Sequence, residues 1–245
     1  MADLWKRLEH QHIKPLLRRL RPWRQMTMGG LRVHYRKHLD GGGSVFGEQY
    51  IPLLMAWGVP RQARAFEWCA GPGFMGFSLL GHGLCETLCL ADINIEAVAA
   101  CRRTIRDNAL ASRVTVYHSD NLQSIPLTER FNLIVGNPPH FFDSSPGQLR
   151  YHDKDWSAHR AFFGTVGQFL EPGGVIILLE NSLGSTAETF RSIIDESGLA
   201  IMFVHGSAPE RAHIDPIYYM GIMRRGDVAP EWVRRLAHWP RSSRA

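Results

Sequence analysis

The sequence predicts an α/β fold in which a doubly wound, mostly parallel sheet of seven strands carries helices on both faces. Short apolar runs alternate with helical patterns from residue 64 onward, as in repeated strand–helix–strand units. The last two apolar runs follow one another without a helix, which predicts an antiparallel pair. A chain of 245 residues is long enough for one such domain and a small extension.

Each strand is predicted from a short run of apolar residues, and each helix from apolar residues that recur three or four positions apart. The predicted strands lie, in chain order, in the segments AFEWC, ETLCLAD, VTVYHSD, FNLIVGN, GVIILLE, LAIMFVH and PIYYMGIMR. The first predicted helix of this domain begins near residue 75. The others span residues 96–109, 155–170 and 186–197. This order of elements defines a sheet domain over residues 61–226.

Residues 1–60 are predicted to form a small helical extension in front of the sheet domain. Apolar residues recur at near-helical spacing over residues 3–20, and residues 51–57 predict a second short helix. Between them, the three successive glycines at 41–43 indicate a mobile hinge followed by an ordered turn. After the sheet domain, residues 227–245 are expected to form a basic tail.

The charge of the chain is unevenly distributed. Residues 1–40 contain ten Lys or Arg and three Asp or Glu, whereas residues 41–223 are net acidic. A basic arm is compatible with nucleic acid or a membrane surface, but we favour a solvated helical face. No apolar run approaches the ~20 residues that span a bilayer, and residues 1–10 have no apolar signal segment. We therefore expect a cytoplasmic protein without a membrane partner.

Cysteine spacing and motif searches exclude several classes of site. Cys85 and Cys89 have no second cysteine pair or histidine array behind them, so no metal site is predicted. Reduced cysteines packed as small apolar side chains fit the sequence best. The motifs G-x-S-x-G, H-E-x-x-H and GK[ST] do not occur, so hydrolase, metalloprotease and P-loop functions have no support.

A glycine-rich turn joins the first strand of the sheet to its helix. Gly71 and Gly73 allow the backbone to approach a ligand, and the following helix N-terminus offers free N–H groups and a partial positive charge. Polar side chains also end the successive strands, namely Glu67 within the turn, Asp92, Asp120 with Asn121, and Asn137. Open α/β sheets bind ligands at this carboxyl edge.

These features resemble class I S-adenosylmethionine-dependent methyltransferases, and the similarity covers residues 60–225. The resemblance implies the Rossmann-like methyltransferase fold and S-adenosylmethionine as the cofactor. It also implies that Glu67 lies beside the methionine end of the cofactor and that Asp92 holds the ribose hydroxyls. Ile93 would lie on the adenine, and Asp120 would accept a hydrogen bond from the adenine amino group.

One departure from the family pattern concerns the glycine-rich motif. Its first glycine is replaced by Cys69, with Trp68 just before it, so backbone approach to the methionine end is expected to differ. The predicted cofactor-binding residues are Glu67, Trp68, Gly71, Gly73, Asp92, Ile93, Asp120, Asn121 and Asn137.

The segment Asn137-Pro138-Pro139-His140 resembles the N/D-P-P-Y/F/W/H signature of nitrogen-directed methyltransferases. Two prolines make a rigid corner and leave carbonyl groups free to face a ligand. The side chain of Asn137 and the carbonyl of Pro138 can accept two hydrogen bonds from one amino group and orient its lone pair. His140 replaces the more usual Tyr or Phe, and two roles stay open for it: stacking on a planar substrate, or taking a proton.

The extension and the corner supply the remaining candidates. In class I enzymes an N-terminal extension often covers the cofactor and builds the substrate pocket. Tyr35 is a candidate catalytic residue through cation–π contact with the sulfonium. The candidate substrate-pocket residues are His34, Phe46, Tyr50 and Phe141. For Tyr35 and Tyr50 the alternative is that they anchor the extension.

The helix after the corner is predicted to begin at an aspartate N-cap, either Asp153 or Asp155. Trp156, His159 and Phe163 then fall on one helix face and are expected to pack in the core. Glu180 ends the next strand at the same sheet edge and is a further pocket candidate, as is Ser207 after the following strand.

Three functions are compatible with these patterns. We favour N-methylation of a small amino-containing metabolite, because no RNA-binding module is recognisable. The basic N-terminus keeps RNA or a protein glutamine as other acceptors. Azetidine-2-carboxylate synthases also resemble class I methyltransferases, and in them the amine of S-adenosylmethionine closes a ring and expels methylthioadenosine; this cyclisation is the second alternative. A non-catalytic S-adenosylmethionine-binding module is the third alternative, and it would not need an intact corner.

Overall fold

The computed structural model describes residues 22–142, 151–206 and 216–238. The predicted helix over residues 3–20, Ser207 and the end of the basic tail lie outside the described residues. Within the described ranges, no helix has the length and apolar composition needed to cross a membrane.

The extension contains β1 (Arg24–Met28), β2 (Leu31–Tyr35) and α1 (Gly43–Ala56). The sheet domain follows in the order β3 (Gln62–Trp68), α2 (Phe74–Gly81), β4 (Cys85–Asp92), α3 (Ile95–Asp107), β5 (Val114–His118), β6 (Phe131–Gly136), α4 (Ser157–Val166), β7 (Leu170–Asn181), α5 (Ala187–Glu196), β8 (Leu199–Gly206), β9 (Ile217–Arg224) and α6 (Glu231–Ala237).

Seven of these strands form one sheet in the order β5-β4-β3-β6-β7-β9-β8. The first five strands of this order pair in parallel, and β9 pairs antiparallel with both β7 and β8. From β3 the chain adds β4 and β5 on one side, and it then crosses back to place β6 on the other side of β3. The carboxyl edge beside such a reversal is where open α/β sheets bind ligands. The predicted fold class and the antiparallel final pair are both confirmed.

Two buried apolar clusters cover the two faces of the sheet. Helices α1, α2, α3 and α6 contribute to one cluster, and α4 and α5 contribute to the other. Successive strand residues enter opposite clusters, as Ala65 and Phe66 do in β3. This alternation explains why the central strands are mostly apolar on both sides, since helices cover both faces of the middle of the sheet.

The extension is not wholly helical, which corrects the prediction for residues 22–60. Gly29 and Gly30 both have positive φ, 52° and 87°, and close a two-residue hairpin between β1 and β2. A Cβ on Gly29 would collide with the backbone of Gly81, so the hairpin turn packs directly on the end of α2. The sequence carries a signal for this hairpin, because apolar residues alternate on both sides of the glycine pair, at Met26 and Met28 before it and at Leu31, Val33 and Tyr35 after it.

The three successive glycines begin a helix rather than forming a hinge. Asp40 accepts hydrogen bonds from the N–H of Gly42 at 3.2 Å and from the N–H and hydroxyl of Ser44 at 3.3 and 2.7 Å. These bonds satisfy donors that a helix start leaves free. Helix α1 therefore begins at Gly43 and is longer than the predicted helix over residues 51–57.

The predicted basic tail contains a packed helix, which corrects the expectation for residues 227–238. Trp232, Val233 and Leu236 of α6 are buried, and the ring of Trp232 lies edge-on to Phe203 of β8 at 6.3 Å. Their spacing is the helical period of a buried face. The surrounding arginines gave this segment its basic composition and masked that period.

Candidate active site

Left-handed backbone shapes the turn between β3 and α2. Cys69, Gly71 and Gly73 have φ values of 52°, 53° and 82°. A Cβ on Gly73 would lie 2.7 Å from the ring of Phe77, so packing requires glycine there. A Cβ on Gly71 would meet only the carbonyl oxygen of Leu39, at 3.9 Å. The Gly71 side of the turn is therefore open, and the extension passes over it.

Glu67 is buried beneath this turn and caps α2. Its carboxylate accepts hydrogen bonds from the N–H groups of Met75 at 3.3 Å and Gly76 at 2.7 Å. Burial raises the pKa of Glu67 to about 8, against the opposing effect of these two donors. The side chain therefore carries a proton at neutral pH, and a cation placed beside it would favour its ionisation.

Asp92 connects the end of β4 to the glycine turn. Its Oδ2 accepts a hydrogen bond from the N–H of Gly71 at 2.6 Å, and its Oδ1 accepts one from the N–H of Asn94 at 2.7 Å. Burial raises the pKa of Asp92. Ile93 is 62% exposed beside it. A carboxylate and an exposed apolar side chain thus lie together next to the open side of Gly71.

Asn121 lies after β5 at the same sheet edge, next to the exposed Asp120. Its backbone is left-handed, with φ of 55°, and its Nδ2 donates to the carbonyl of Ala158 at 2.8 Å. The Oδ1 atom is buried and has no hydrogen-bond partner among the described residues. A buried acceptor without a donor costs about 1–3 kcal/mol, so this atom is suited to a ligand donor.

The Asn137–His140 corner is fixed by the segment that precedes α4. The N–H groups of His140 and Phe141 donate to the carbonyl of Tyr151 at 3.1 and 2.9 Å, and the N–H of Asp153 donates to the carbonyl of Phe141 at 2.8 Å. The Oδ1 atom of Asn137 is buried, and the part of the chain that the structure describes offers it no hydrogen-bond partner. A rigid backbone thus presents a second unsatisfied amide oxygen.

A chain of four titratable side chains leads from this corner into the core. Nδ1 of His140 lies 3.2 Å from Oε2 of Glu180, and Oε1 of Glu180 lies 3.1 Å from Nε2 of His159. Nδ1 of His159 lies 2.6 Å from Oδ2 of Asp153. We call these four residues the His–carboxylate chain.

The charges in the His–carboxylate chain stabilise one another. Burial alone would lower the pKa of His159, but Glu180 and Asp153 outweigh it and raise that pKa to about 9. Burial would raise the pKa values of Glu180 and Asp153, yet both are lowered by their histidine neighbours and, for Asp153, by backbone donors. The inner three residues therefore form a buried ion cluster.

Sequence patterns identified the members of this chain separately but missed their connection. Trp156 occupies the N-cap position of α4, but Asp153 bonds to the helix start as expected of a capping aspartate, since its Oδ1 accepts from the N–H of Ala158 at 2.9 Å, and His159 is buried as expected. A signal was present, because Glu180 ends an otherwise apolar strand and a buried carboxylate requires a partner.

The candidate residues of the extension lie at or below the glycine turn. The ring of Tyr35 is edge-on to Phe74, the first residue of α2, at 5.2 Å. Phe46 is half-buried in the first turns of α1. Tyr50 is fully buried and stacked on Tyr219 at 5.7 Å, and within the described ranges its hydroxyl has no hydrogen-bond partner. Their roles toward a ligand stay predictions.

The structure does not bring His34 to the site, which corrects its predicted pocket role. The N–H of His34 donates to Oγ1 of Thr104 at 2.9 Å, and its Nε2 lies 3.1 Å from Oδ2 of Asp107. Both partners belong to the last turn of α3, roughly 15–20 Å along the helix from the first turn at the sheet edge. His34 anchors the hairpin instead.

Trp68 is also directed away from the predicted cofactor position. Its ring is 2% exposed, stacks on Phe162 at 3.9 Å and lies edge-on to His159 at 5.4 Å. Neighbouring strand residues face opposite sides of a sheet, so Glu67 and Trp68 cannot share one ligand surface. The tryptophan supports the His–carboxylate chain rather than a cofactor.

The four cysteines are free thiols, and three of them are buried. Over residues 22–142, 151–206 and 216–238, no three His, Cys, Asp or Glu side chains are arranged to hold a metal ion.

Comparison with known proteins identifies the family of this chain and several relatives. The model of the methyltransferase small domain family matches residues 34–199. The chain is 30% identical over 141 residues to a 4-amino-L-phenylalanine/4-methylamino-L-phenylalanine methyltransferase of Streptomyces pristinaespiralis, covering 51% of this chain and 47% of that protein. It is 26% identical over 185 residues to ribosomal RNA small subunit methyltransferase C of Pasteurella multocida, covering 74% and 47%. The chain thus spans about half the length of these curated relatives.

Solved structures share the fold at low sequence identity. The T. thermophilus 16S rRNA N2 G1207 methyltransferase, in complex with AdoMet and guanosine, superposes with a TM-score of 0.58 at 18% identity. That match covers 83% of this chain and 50% of the other.

Proposed function

Because the chain belongs to the methyltransferase small domain family of S-adenosylmethionine-dependent enzymes, we propose that it methylates a nitrogen atom of a small amino-containing metabolite. The buried, unpartnered Oδ1 of Asn137 on a rigid proline corner is the observation that carries this proposal. An amide oxygen fixed in this way is an acceptor for the N–H of an incoming amino group.

The residues at the carboxyl edge fit S-adenosylmethionine. Asp92 offers a carboxylate to a ribose diol, Ile93 offers an exposed apolar surface to adenine, and the unsatisfied Oδ1 of Asn121 needs a donor. The open side of Gly71 leaves room for close approach, and Glu67 lies where a cationic amino-acid end would be stabilised. When bound, the cofactor supplies an electrophilic methyl group on a positively charged sulfur.

The corner orients the acceptor rather than activating it strongly. Asn137 accepts one N–H of the amino group, and the carbonyl of Pro138 is a second acceptor for the other. When both N–H groups are held by fixed acceptors, the nitrogen lone pair can point in only one direction. The gain in the rate of methyl transfer therefore comes from orientation. The proline pair lowers the entropy cost of binding the acceptor, because the backbone of the two prolines is already restricted before binding.

Apolar side chains beside the corner favour a small acceptor with an apolar or aromatic body. Phe141 is half-buried, Phe142 is exposed, and Leu183 is 76% exposed. The backbone next to Leu183 is in contact with the corner, since a Cβ on Gly184 would collide with the carbonyl of His140. The relative from Streptomyces pristinaespiralis is named for an amino-substituted phenylalanine, which has this combination of an amine and an aromatic ring.

RNA and a protein glutamine are the second class of acceptor. A nucleobase amine or a side-chain amide offers the same N–H donors to Asn137, and relatives are named for ribosomal RNA and for release factor glutamine. The exposed apolar side chains at the corner favour the small molecule over these polar macromolecules. The ring-closing cyclase gains no support, because the relatives are named as methyltransferases.

Product analysis tests this proposal. Purified protein is incubated with S-adenosylmethionine alone and with aromatic and aliphatic amino acids that carry primary amines, and the sulfur products are measured by mass spectrometry. We expect S-adenosylhomocysteine and an N-methylated amino acid only when an acceptor is present. Methylthioadenosine without any acceptor would identify a cyclase, and turnover with ribosomal RNA or release factor alone would replace the proposed acceptor.

Asp92→Ala should weaken S-adenosylmethionine binding about 10- to 150-fold. The change removes a charged hydrogen-bond acceptor worth roughly 1.5–3 kcal/mol. Isothermal titration calorimetry gives the dissociation constant, and a thermal melt checks that the variant is folded. Asp195→Ala, an exposed carboxylate on α5, is the matched control and should bind like the parent protein. Equal affinities for the Asp92 variant and the control would contradict the proposed ribose contact.

A further inference from the structure

The geometry of the His–carboxylate chain determines where its protons lie. An ionised carboxylate only accepts hydrogen bonds. Both ring nitrogens of His159 face carboxylate oxygens, of Asp153 at 2.6 Å and of Glu180 at 3.1 Å, so both must donate. His159 is therefore an imidazolium. By the same reasoning Nδ1 of His140 donates to Glu180, which leaves Nε2 as the ring atom able to accept a proton.

The inner part of the chain carries one uncompensated negative charge. Asp153 and Glu180 are two carboxylates, and His159 is one cation. His159 is fully buried, with the ring of Phe190 stacked on it at 4.6 Å and Trp156 edge-on at 5.4 Å, so water does not screen these charges. The remaining negative charge is presented to His140 and would be neutralised by a proton on that ring.

Two other titratable groups among the described residues face this chain, and burial keeps both of them neutral. Cys69 lies within electrostatic range of both carboxylates, and burial raises its pKa well above the ordinary value for a thiol. Burial also raises the pKa of Tyr218, whose hydroxyl is 3.0 Å from Oγ of Ser185. The charge that His140 meets therefore comes from Glu180 and the two residues behind it.

We propose that Nε2 of His140 takes the proton released by the acceptor nitrogen, and that Glu180, His159 and Asp153 hold His140 in the orientation and tautomer this requires. The proposal rests on the nitrogen methylation proposed above and decides between the two roles that the sequence left open for His140. His140 is then a catalytic residue, and the three residues behind it are positioning residues.

The proton transfer balances without another reactant. As the methyl group is transferred, one of the two N–H groups held by the corner is released, and its N–H bond breaks. The electron pair stays on nitrogen, where it neutralises the positive charge that the nitrogen gains on methylation. The proton bonds to the lone pair of Nε2, and Glu180 stabilises the resulting imidazolium, as a carboxylate does for histidine in hydrolase triads. His140 is half-buried, so the proton then passes to solvent.

Histidine NMR of the full-length protein tests the proton positions in the His–carboxylate chain and needs no acceptor. In ¹⁵N-histidine-labelled protein, we expect His159 to hold protons on both nitrogens from pH 6 to 8, and neutral His140 to hold its proton on Nδ1. His140→Gln assigns the signals. In Glu180→Gln, the fraction of neutral His140 with its proton on Nδ1 should fall, because the carboxylate that accepts this proton is gone. A neutral His159, or a proton on Nε2 of neutral His140, would overturn the assignment.

Kinetics test the catalytic role with the amino acid acceptor that gives turnover in the product assay. His140→Ala should lower kcat about 100-fold or more, with dissociation of S-adenosylmethionine unchanged, and added imidazole should restore part of the rate. Glu180→Gln should lower kcat about 10-fold in the parent chain and cause no further loss in His140→Ala. Glu129→Gln, which breaks the Arg64 ion pair elsewhere, is the control and should keep the parent rate.

The outcomes separate the two proposals. Full activity of His140→Ala, or independent losses in the Glu180 and His140 variants, overturns the proton transfer and leaves nitrogen methylation standing. Absence of turnover with every acceptor overturns both, because no acceptor nitrogen then exists to release a proton.

Discussion

Asn137→Ala is expected to lower kcat about 10²–10³-fold while the dissociation constant of S-adenosylmethionine changes less than about threefold. Removal of one fixed hydrogen-bonding group from a preorganised site has an effect of this size on other enzymes. In this chain the lost group is the buried Oδ1 that has no partner within the described residues. Single-turnover rates with the acceptor found in the product assay, together with calorimetry for the cofactor, measure the two quantities separately.

Asn137→Asp is the matched variant, because it retains an oxygen at the same position. It should keep more activity than Asn137→Ala, since an amino group can still donate to it. Equal losses of cofactor affinity and turnover in Asn137→Ala would mean that this side chain holds the cofactor or the fold, and the orientation of the acceptor would need another group.

Asp153→Ala is expected to lower the free energy of unfolding by about 3–5 kcal/mol. The change leaves the buried imidazolium of His159 with one carboxylate instead of two, and breaking a buried ion pair has costs of this order. It also removes a side chain that accepts hydrogen bonds from the first turn of α4, from the N–H of Ala158 and of His159. Urea denaturation measures the loss. Asp155→Asn is the control, an exposed carboxylate two residues away whose left-handed backbone Asn also tolerates, and should change stability by no more than about 0.5 kcal/mol.

The difference in the free energy of unfolding between the parent protein and Asp153→Ala should depend on pH, because the pKa values of His159 and Asp153 are shifted. The raised pKa of His159, about 9 against 6.5, gives stability that is complete below pH 6.5 and is lost as pH rises through 9. The lowered pKa of Asp153 gives stability that is present above its unfolded value and is lost as pH falls. The difference between parent and Asp153→Ala should therefore be larger at pH 6 than at pH 9. A difference that does not change with pH would contradict the buried ion cluster.

Local patterns predicted the sheet domain because its central strands are buried on both faces. A strand covered by helices on either side is apolar along its length, and the helices between strands have a regular period. The carboxyl-edge residues Gly71, Asp92 and Asn137 were also identifiable, because the end of a strand can be located from its apolar run. The order of strands along the sheet then follows from short right-handed connections.

The parts that the sequence did not predict depend on contacts between distant residues. His140, Glu180 and His159 meet because β6 and β7 are neighbours in the sheet, and single-sequence spacing does not contain that register. His34 was assigned to the pocket from its chemistry, whereas its position depends on the partner that β2 meets in α3. Trp68 was assigned from its place beside the glycine turn, although strand alternation directs it to the opposite face.

The close contact between the hairpin turn and the end of α2 couples two positions far apart in the chain. Gly29 and Gly81 each lack the room for a methyl group, because the backbone of one occupies the space beside the other. A side chain at either position would force the hairpin away from the helix. No substitution at the other position could compensate, because that residue is already glycine, the smallest amino acid. Both positions are therefore restricted to glycine. The same backbone contact, at the C-terminal end of α2, also fixes where the hairpin lies, and so determines how residues 31–43 reach the open side of Gly71 at the other end of the helix.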